Sequence, residues 1–427
     1  MPTSPAHLRA RAAFGTLAVL LLAGTPDAHA SGTIVRLKTL GGSTPVVYGL
    51  SADGSTVVGD VFEGGRYHAL RWTAAGELQD LGTILSDGAS ARAVSADGAV
   101  VCGRDFSDGG LSTPFRWTAA EGMSLLGGTS VVVGSGLSAR AVSADGLVIA
   151  GTDGRPSDLQ LYAFRWTAAG VVQDLGALSG GFSTTSAISA DGSTVVGTSG
   201  ADGGDPRAFR WTATDGMQDL GTLGGAQSSA RGASADGSVV VGTSRFDSSA
   251  SNRVFRWTAA GGMQDLGITS LGGMSADGSV IAGTEASRAI RWTAAGGLQD
   301  LGDLGGTSDT ADAVSADGGT IAGRVSNSGT GVERAFLWTE SLGMVDLNVY
   351  LPAVGIDLTN WHLKEATHLS ADGSVIVGKG RFDGETRIFR VEFSPCGSVD
   401  FDGDGDEGTD ADVETFFRVI GGGTCAP

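Results

Sequence analysis

Apolar and polar residues alternate along this chain in short runs that end in small-residue turns, which is the period of a β-strand. The stretch Val254–Gly267, VFRWTAAGGMQDLG, contains one strand, a turn and a second strand, and close copies recur at Trp72, Trp117, Trp166, Trp211, Trp292 and Trp338. Between copies stands a second phrase, Ser-Ala-Asp-Gly, followed by a β-branched run ending in Gly, as in Ser234–Gly242. It begins at Ser51, Ser95, Ser143, Ser189, Ser234, Ser275, Ser315 and Ser370, at spacings of 40 to 55 residues. Each unit parses into four strands, a to d. Strand a ends at Ser-Ala, Asp-Gly is expected to form a two-residue type I′ turn, and b is the run such as Val239–Val241. Strand c is Phe-Arg-Trp and strand d Gln-Asp-Leu.

Such a period with four strands predicts an all-β fold, a β-propeller of eight blades. A lone blade cannot cover its own faces, whereas stacking buries both and closing the ring removes the free edge. The eighth unit has strands a, b (Val375–Val377) and c (Ile388–Val391) but no Gln-Asp-Leu after them. An orphan strand d, Thr33–Gly42, stands near the N-terminus and matches Gln218–Gly225 in register. The N-terminal strand is therefore expected to complete the eighth blade.

Along strand c, Phe255 and Trp257 face one way and Arg256 the other. A buried Trp removes about 150–250 Å² from water, so the repeated Trp is read as interblade packing. Arginine recurs at positions 71, 116, 165, 210, 256, 291 and 390, and aspartate in strand d at 80, 174, 219, 265, 300 and 346. A structural ion pair is the simple reading. Pairing within a blade would nonetheless set Arg116 opposite Leu125, Leu337 opposite Asp346 and Arg390 opposite Arg36.

His68-Ala69-Leu70-Arg71-Trp72-Thr73 and Ala208-Phe209-Arg210-Trp211-Thr212, together with Asp-Leu-Gly-Thr-Leu-Gly-Gly and Ser-Ala-Asp-Gly, resemble the HAF-family extracellular repeat of bacteria. The resemblance covers about residues 33–393 and includes the insertion from Asp346 to Ala366. It implies a secreted or surface-exposed propeller-type repeat protein with no established reaction. The outer-membrane barrel that follows the repeats in some relatives has no counterpart here.

Composition adds to this picture. The 427 residues include 71 Gly and carry a net charge of −19, with no Lys/Arg cluster along the sequence, which argues against nucleic acid. Residues 1–30 read as a signal peptide: Arg9 and Arg11, an apolar run Ala12–Ala23, and Ala28-His29-Ala30 as the cleavage site. The run is shorter than the ~20 residues of a membrane span, so no span is expected after cleavage. Cys102 replaces a Val in a b strand and reads as a buried small hydrophobe, while Cys396 and Cys425 are expected to pair in an oxidising compartment.

Domains are therefore expected at 1–30 (signal), 31–393 (propeller) and 394–427 (tail). In the tail, Asp400, Asp402, Asp404 and Asp406 alternate with Gly403 and Gly405 as in an EF-hand loop, with Asp410 and Asp412 flanking Ala411 at the twelfth position. This makes Ca²⁺ the expected cofactor. A helix is expected from Thr409 or Asp412, with Val413, Phe416, Phe417 and Ile420 as its apolar stripe.

Chemistry elsewhere is sparse. His68, His362 and His368 lack metal-ligand spacing, and no nucleophile motif stands out. Loops between b and c vary: residues 64–68, 153–158, 202–207 and 383–387. Variable loops on a rigid scaffold are where binding is expected. Acids there, such as Asp105, Asp158, Asp205 and Glu333, read mainly as solvated, and Trp361-His362 with Lys364 and Glu365 as the anchor of a long loop. The expected function is an exported, non-catalytic binding or structural protein, a monomer, with an extracellular glycan or protein ligand. The alternative is a hydrolase or lyase acting on extracellular polysaccharide, using a carboxylate pair across the channel.

Overall fold

A computed structural model describes residues 32–393 apart from 42, 108–110, 127–136, 155–159, 180, 202–203 and 247–251. The signal region, the Asp400–Asp412 loop, its helix, and Cys396 and Cys425 lie outside the described residues. Thirty-two strands form antiparallel groups of four in the order a-b-c-d. The first two groups are joined by a single parallel bridge, Tyr67 to Gly88. Strand d of the eighth group is Thr33–Arg36, which pairs with Glu385–Glu392 so that Arg36 faces Phe389. Strands a of successive blades lie against one another, so a is the inner strand. Strands d are the outermost, with Gly297–Asp300 exposed along its length.

The turn joining a to b is the joint between blades. Ser51 O accepts from Gly54 N (2.9 Å) and Ser51 N donates to Thr56 O (2.8 Å), while Ser51 Oγ donates to Asp53 and accepts from Thr56 N. The same bonds recur at Ser95, Ser143, Ser189, Ser234, Ser275, Ser315 and Ser370. Only Gly takes positive φ here (Gly54, 70°), not Asp53. The loop is thus a four-residue one built on a type I turn, which corrects the expected type I′ geometry. Two-residue loops with both φ positive occur instead between b and c, at Gly64-Gly65, Ala286-Ser287 and Asp383-Gly384.

Each a–b turn also donates to the next. Asp53 N reaches Ala96 O, and Ala96, Ala144, Asp191, Ala235, Ala276 and Ala316 continue the series to Ala371 O. Ala371 N then donates to Ala52 O at 2.8 Å, returning the series to the first blade. The turn glycine fits because a Cβ on Gly54 would stand 2.5 Å from Val375 Cγ2 of the eighth blade.

Hydrogen bonds in the turns hold some of their aspartates low. The Ser234 hydroxyl, then the Ser238 N–H and hydroxyl, hold Asp236 down at about 2, and Ser95 and Ser143 lower Asp97 and Asp145 likewise. A depressed carboxyl contributes stability above its unfolded value of 3.8 and loses it as pH falls toward the folded value. The stability gap between the wild type and Asp236→Asn, measured by urea unfolding, is therefore expected to narrow from pH 4 to pH 2. A gap constant with pH would contradict this. The effect is small because the side chain is exposed.

The core lies between blades rather than within them. At most junctions the apolar b and c positions of one blade, such as Val58 and Ala69, receive the aromatic pair of the next, such as Phe115 and Trp117, while Leu70, Ile290 and Val391 each replace one aromatic at the other three. The junction of the eighth and first blades joins Leu37, Val375, Val377 and Ile388 to Val57, Leu70 and Trp72. Cys102 packs against Phe164 and Trp166 at the next such junction, fully buried as expected, and burial pushes its thiol up to about 12. Peptide mapping after native-state maleimide treatment is expected to find Cys102 unlabelled until denaturant is added. Rapid native labelling would contradict its burial.

The strand-c arginines do not pair with the strand-d aspartates as a rule. Strand c aligns Phe with Asp and Arg with Gln, as in Phe209–Asp219 and Arg210–Gln218, one residue away from the expected register. Arg and Asp therefore lie on opposite faces. Arg116 faces Ser124, Leu337 faces Val345 and Arg390 faces Val35. The guanidinium turns to the next blade instead. Arg256 Nε donates to Gly278 O (3.1 Å) and lies 5.9 Å from the centre of the Trp292 ring, and Arg390 Nε donates to Gly54 O (3.0 Å). The aspartate caps its own outer turn, with Asp219 accepting from Gly221 N at 2.8 Å.

One helix stands among the described residues, α1 (Leu347–Ala353), capped by Asp346 accepting from Asn348 N. Its Leu347 and Leu351 are buried against Phe389 and Phe393 of the last blade. No described helix is long and apolar enough to cross a membrane.

Candidate ligand site on the inner strands

Every inner strand carries a β-bulge at one place, three residues before the Ser of Ser-Ala-Asp-Gly. The register slips at Tyr48, Arg92, Arg140, Ser186, Arg231, Gly272, Asp312 and Thr367. The cause is visible in strand b. Its Gly lies so close to the carbonyl of strand a that a Cβ on Gly378 would stand 1.9 Å from Glu365 O, and one on Gly151 2.3 Å from Ser138 O. The extra residue is released from the ladder. A Gly inside a strand is a signal for a bulge, and it would have located these residues, which the sequence reading missed.

The eight bulges are equivalent in the fold and different in chemistry. On one side are cations. The Arg92 guanidinium sits 3.9 Å from the centre of the Tyr48 ring on the neighbouring blade and 4.0 Å from Asp60. Burial lowers Arg140, and the nearby charges of Arg92 and Arg231, from two other blades, lower it further. Arg104, one strand out, is lowered by burial and then by Arg92, and its Nε is buried without a hydrogen-bond partner. Beside Arg231 a cleft of about 580 Å³ opens, lined by Thr243, Asn252, Ser270, Leu271 and Met274 among others. Gly272 at the next bulge is held by close packing, since a Cβ there would stand 1.9 Å from Ala311 O.

On the other side are acids. Burial raises Asp312 to about 6; Arg324 opposes that shift and Glu365 adds to it. Burial also pushes Glu365 up, but bonds from Lys379 and Arg324, each 3.0 Å, outweigh it and leave Glu365 below its ordinary value. Half-buried His368, beside Tyr48, is driven by burial to about 4 and stays neutral at pH 7.

The positions singled out in the sequence are spread apart. Asp105 is fully buried and accepts from Thr83 and the Ile84 and Leu85 N–H groups, so it organises a loop. Glu333 pairs with Lys364, and its carbonyl bonds His362 Nε2 (2.9 Å). Trp361 packs on Phe382 and Phe389, the anchoring role expected of it. Asp205 is half-buried, and Asp158 lies outside the described residues. Of the variable b–c segments, Arg66–His68 and Glu385–Arg387 belong to strands, with two-residue turns before them. Glu365 and His368, both named from the sequence, lie on an inner strand. Among the described residues no group of three or more His, Cys, Asp or Glu is placed to hold a metal.

Compared with protein-family models and with curated proteins, the chain matches none. Solved structures resemble it more widely. Porphyromonas gingivalis dipeptidyl peptidase 4 aligns at 10% identity and TM-score 0.51, over 79% of this chain and 56% of its own. An oligogalacturonate lyase in complex with manganese aligns at 13% and 0.45, over 85% and 91%. TolB from Acinetobacter baumannii aligns at 16% and 0.38, over 58% of this chain and 63% of its own. These likenesses concern the fold alone; the chain's own four-stranded groups, linked turn to turn from the first to the eighth, are those of a β-propeller.

Proposed function

We propose that the protein is an exported, non-catalytic binding propeller of the HAF-repeat type, taking its ligand on the inner strands from the face that carries the b–c turns. One observation carries the reading. The a–b turns and the interblade aromatics repeat from blade to blade, whereas the inner bulge changes residue at nearly every blade, from Tyr48 through Arg140 to Asp312. Repetition serves the scaffold; variation at a fixed, solvent-reachable position serves recognition. A glycan and protein array probed with the mature chain is expected to return a ligand whose binding Tyr48→Ala weakens. An array that returns nothing overturns the reading.

The tail is proposed to bind calcium through the Asp400–Asp412 loop and to be closed by Cys396–Cys425, consistent with export. Calcium titrated into the full mature chain is expected to release heat that a chain ending at Phe393 does not.

A second reading is favoured by the Asp312–Glu365 pair, two neighbouring carboxyls whose surroundings push their pKa values apart, as in acid–base pairs of polysaccharide-cleaving enzymes. It requires that an extracellular polysaccharide be cleaved and that Asp312→Asn abolish cleavage. Unchanged turnover in that variant removes Asp312 from the chemistry.

A further inference from the structure

We infer that the inner arginines Arg92, Arg140 and Arg231 form a site for a short oligoanion, a molecule carrying several carboxylate or phosphate groups. The inference rests on the binding reading above and names its ligand class.

Three facts converge. First, the protein is strongly acidic, at −19, yet it sets arginine at the same bulge of three inner strands; the strands of Arg92 and Arg140 lie side by side, and the charges of Arg92 and Arg231 both bear on Arg140. Sequence separation hides this, since these residues lie on separate repeats. Second, the cluster is not neutralised from within. Arg92 has only the distant contact to Asp60, whose carboxylate already accepts from Ser90 Oγ at 2.5 Å. Arg140 and Arg231 have no carboxylate within ion-pairing distance among the described residues. Like charges that no carboxylate of the protein neutralises repel one another and draw in an anion. Third, the Arg140 and Arg231 side chains are exposed, and a guanidinium's fork of donors suits a planar or tetrahedral anion.

The cleft that Arg231 lines, without Arg92 or Arg140, adds neutral groups next to that arginine. Thr243, Asn252 and Ser270 offer hydroxyl and amide groups to a neutral polar body, while Leu271 and Met274 give it apolar edges. Its volume, about 580 Å³, is that of a small-molecule pocket. Carboxylate and phosphate sources share the recognising chemistry, so both belong in the test.

The test is calorimetric titration of the mature chain, at low ionic strength, with inorganic triphosphate, with a tri-uronic acid and with neutral maltotriose. At least one anion is expected to bind, more weakly as salt rises, and maltotriose not to. R140Q and R231Q are expected to weaken that binding at least tenfold each while melting at or above the wild-type temperature, since each removes an unpaired like charge. Binding to triphosphate alone marks a phosphate site, and to the uronate alone a sugar-acid site. The inference is overturned if neither anion binds, if maltotriose binds as well as the anions, or if both glutamine variants bind like wild type. Should the glutamine variants fail to fold, R140K and R231K decide: weakened but salt-sensitive binding supports the site, and unchanged binding removes it. If the array returns a neutral ligand and no anion binds, the oligoanion site falls while the binding reading stands. An empty array together with silent titrations removes both.

Discussion

Gly378→Ala is expected to destabilise the protein more than any other single methyl addition in the eighth blade. The new Cβ would stand 1.9 Å from Glu365 O and 2.7 Å from the Phe389 ring, and both neighbours are fixed, one as backbone and one in the core. Relief requires pulling strand a off strand b, which removes the bulge and displaces Thr367 and the Glu365 bridge to Lys379 and Arg324. Overpacking of a dense interior costs about 1–3 kcal/mol when side chains can shift; with backbone in the way the upper end or beyond is expected. Gly64→Ala is the control. It has positive φ (59°) but nothing within 4 Å, so it is expected to cost about 1 kcal/mol from conformation alone. Urea unfolding of both variants decides, and equal losses would show that close approach is not what the strand glycine provides.

Trp72→Ala is expected to cost about 3–5 kcal/mol, the range for emptying an aromatic site in a core. Trp72 is fully buried, and its indole N–H donates to Lys38 O at 2.7 Å. Lys38 lies two residues beyond the strand that supplies d of the eighth blade, so one side chain ties the first blade to the N-terminal segment. The loss should exceed that of Trp257→Ala, whose ring is only partly buried. Removal of residues 33–36 should reproduce part of it, since it strips the same junction from the other side. A Trp72→Ala loss under 1 kcal/mol in chemical denaturation would mean that this junction contributes little to stability.

How far the chain could be read in advance depends on the kind of contact. Strand period, turn punctuation and the orphan strand at Thr33 are local features, and a one-dimensional repeat writes them openly, so the thirty-two strands and their grouping were legible. The buried Trp and Phe followed because alternation assigns a face to each residue. The tertiary structure decided what depends on a shift of one residue or on distance across the fold. A single step in the c–d register sent Arg256 away from aspartate and onto Gly278 and Trp292 of the next blade. A type I rather than type I′ turn followed from the serine hydroxyl, which bonds both the turn aspartate and the next strand. Above all, Arg92 and Arg231 bear on Arg140 only because inner strands of separate blades are brought round to one another. No local pattern encodes that: each arginine alone has the sequence of an ordinary strand residue, and only the packing of whole blades sets the three at equivalent inner positions.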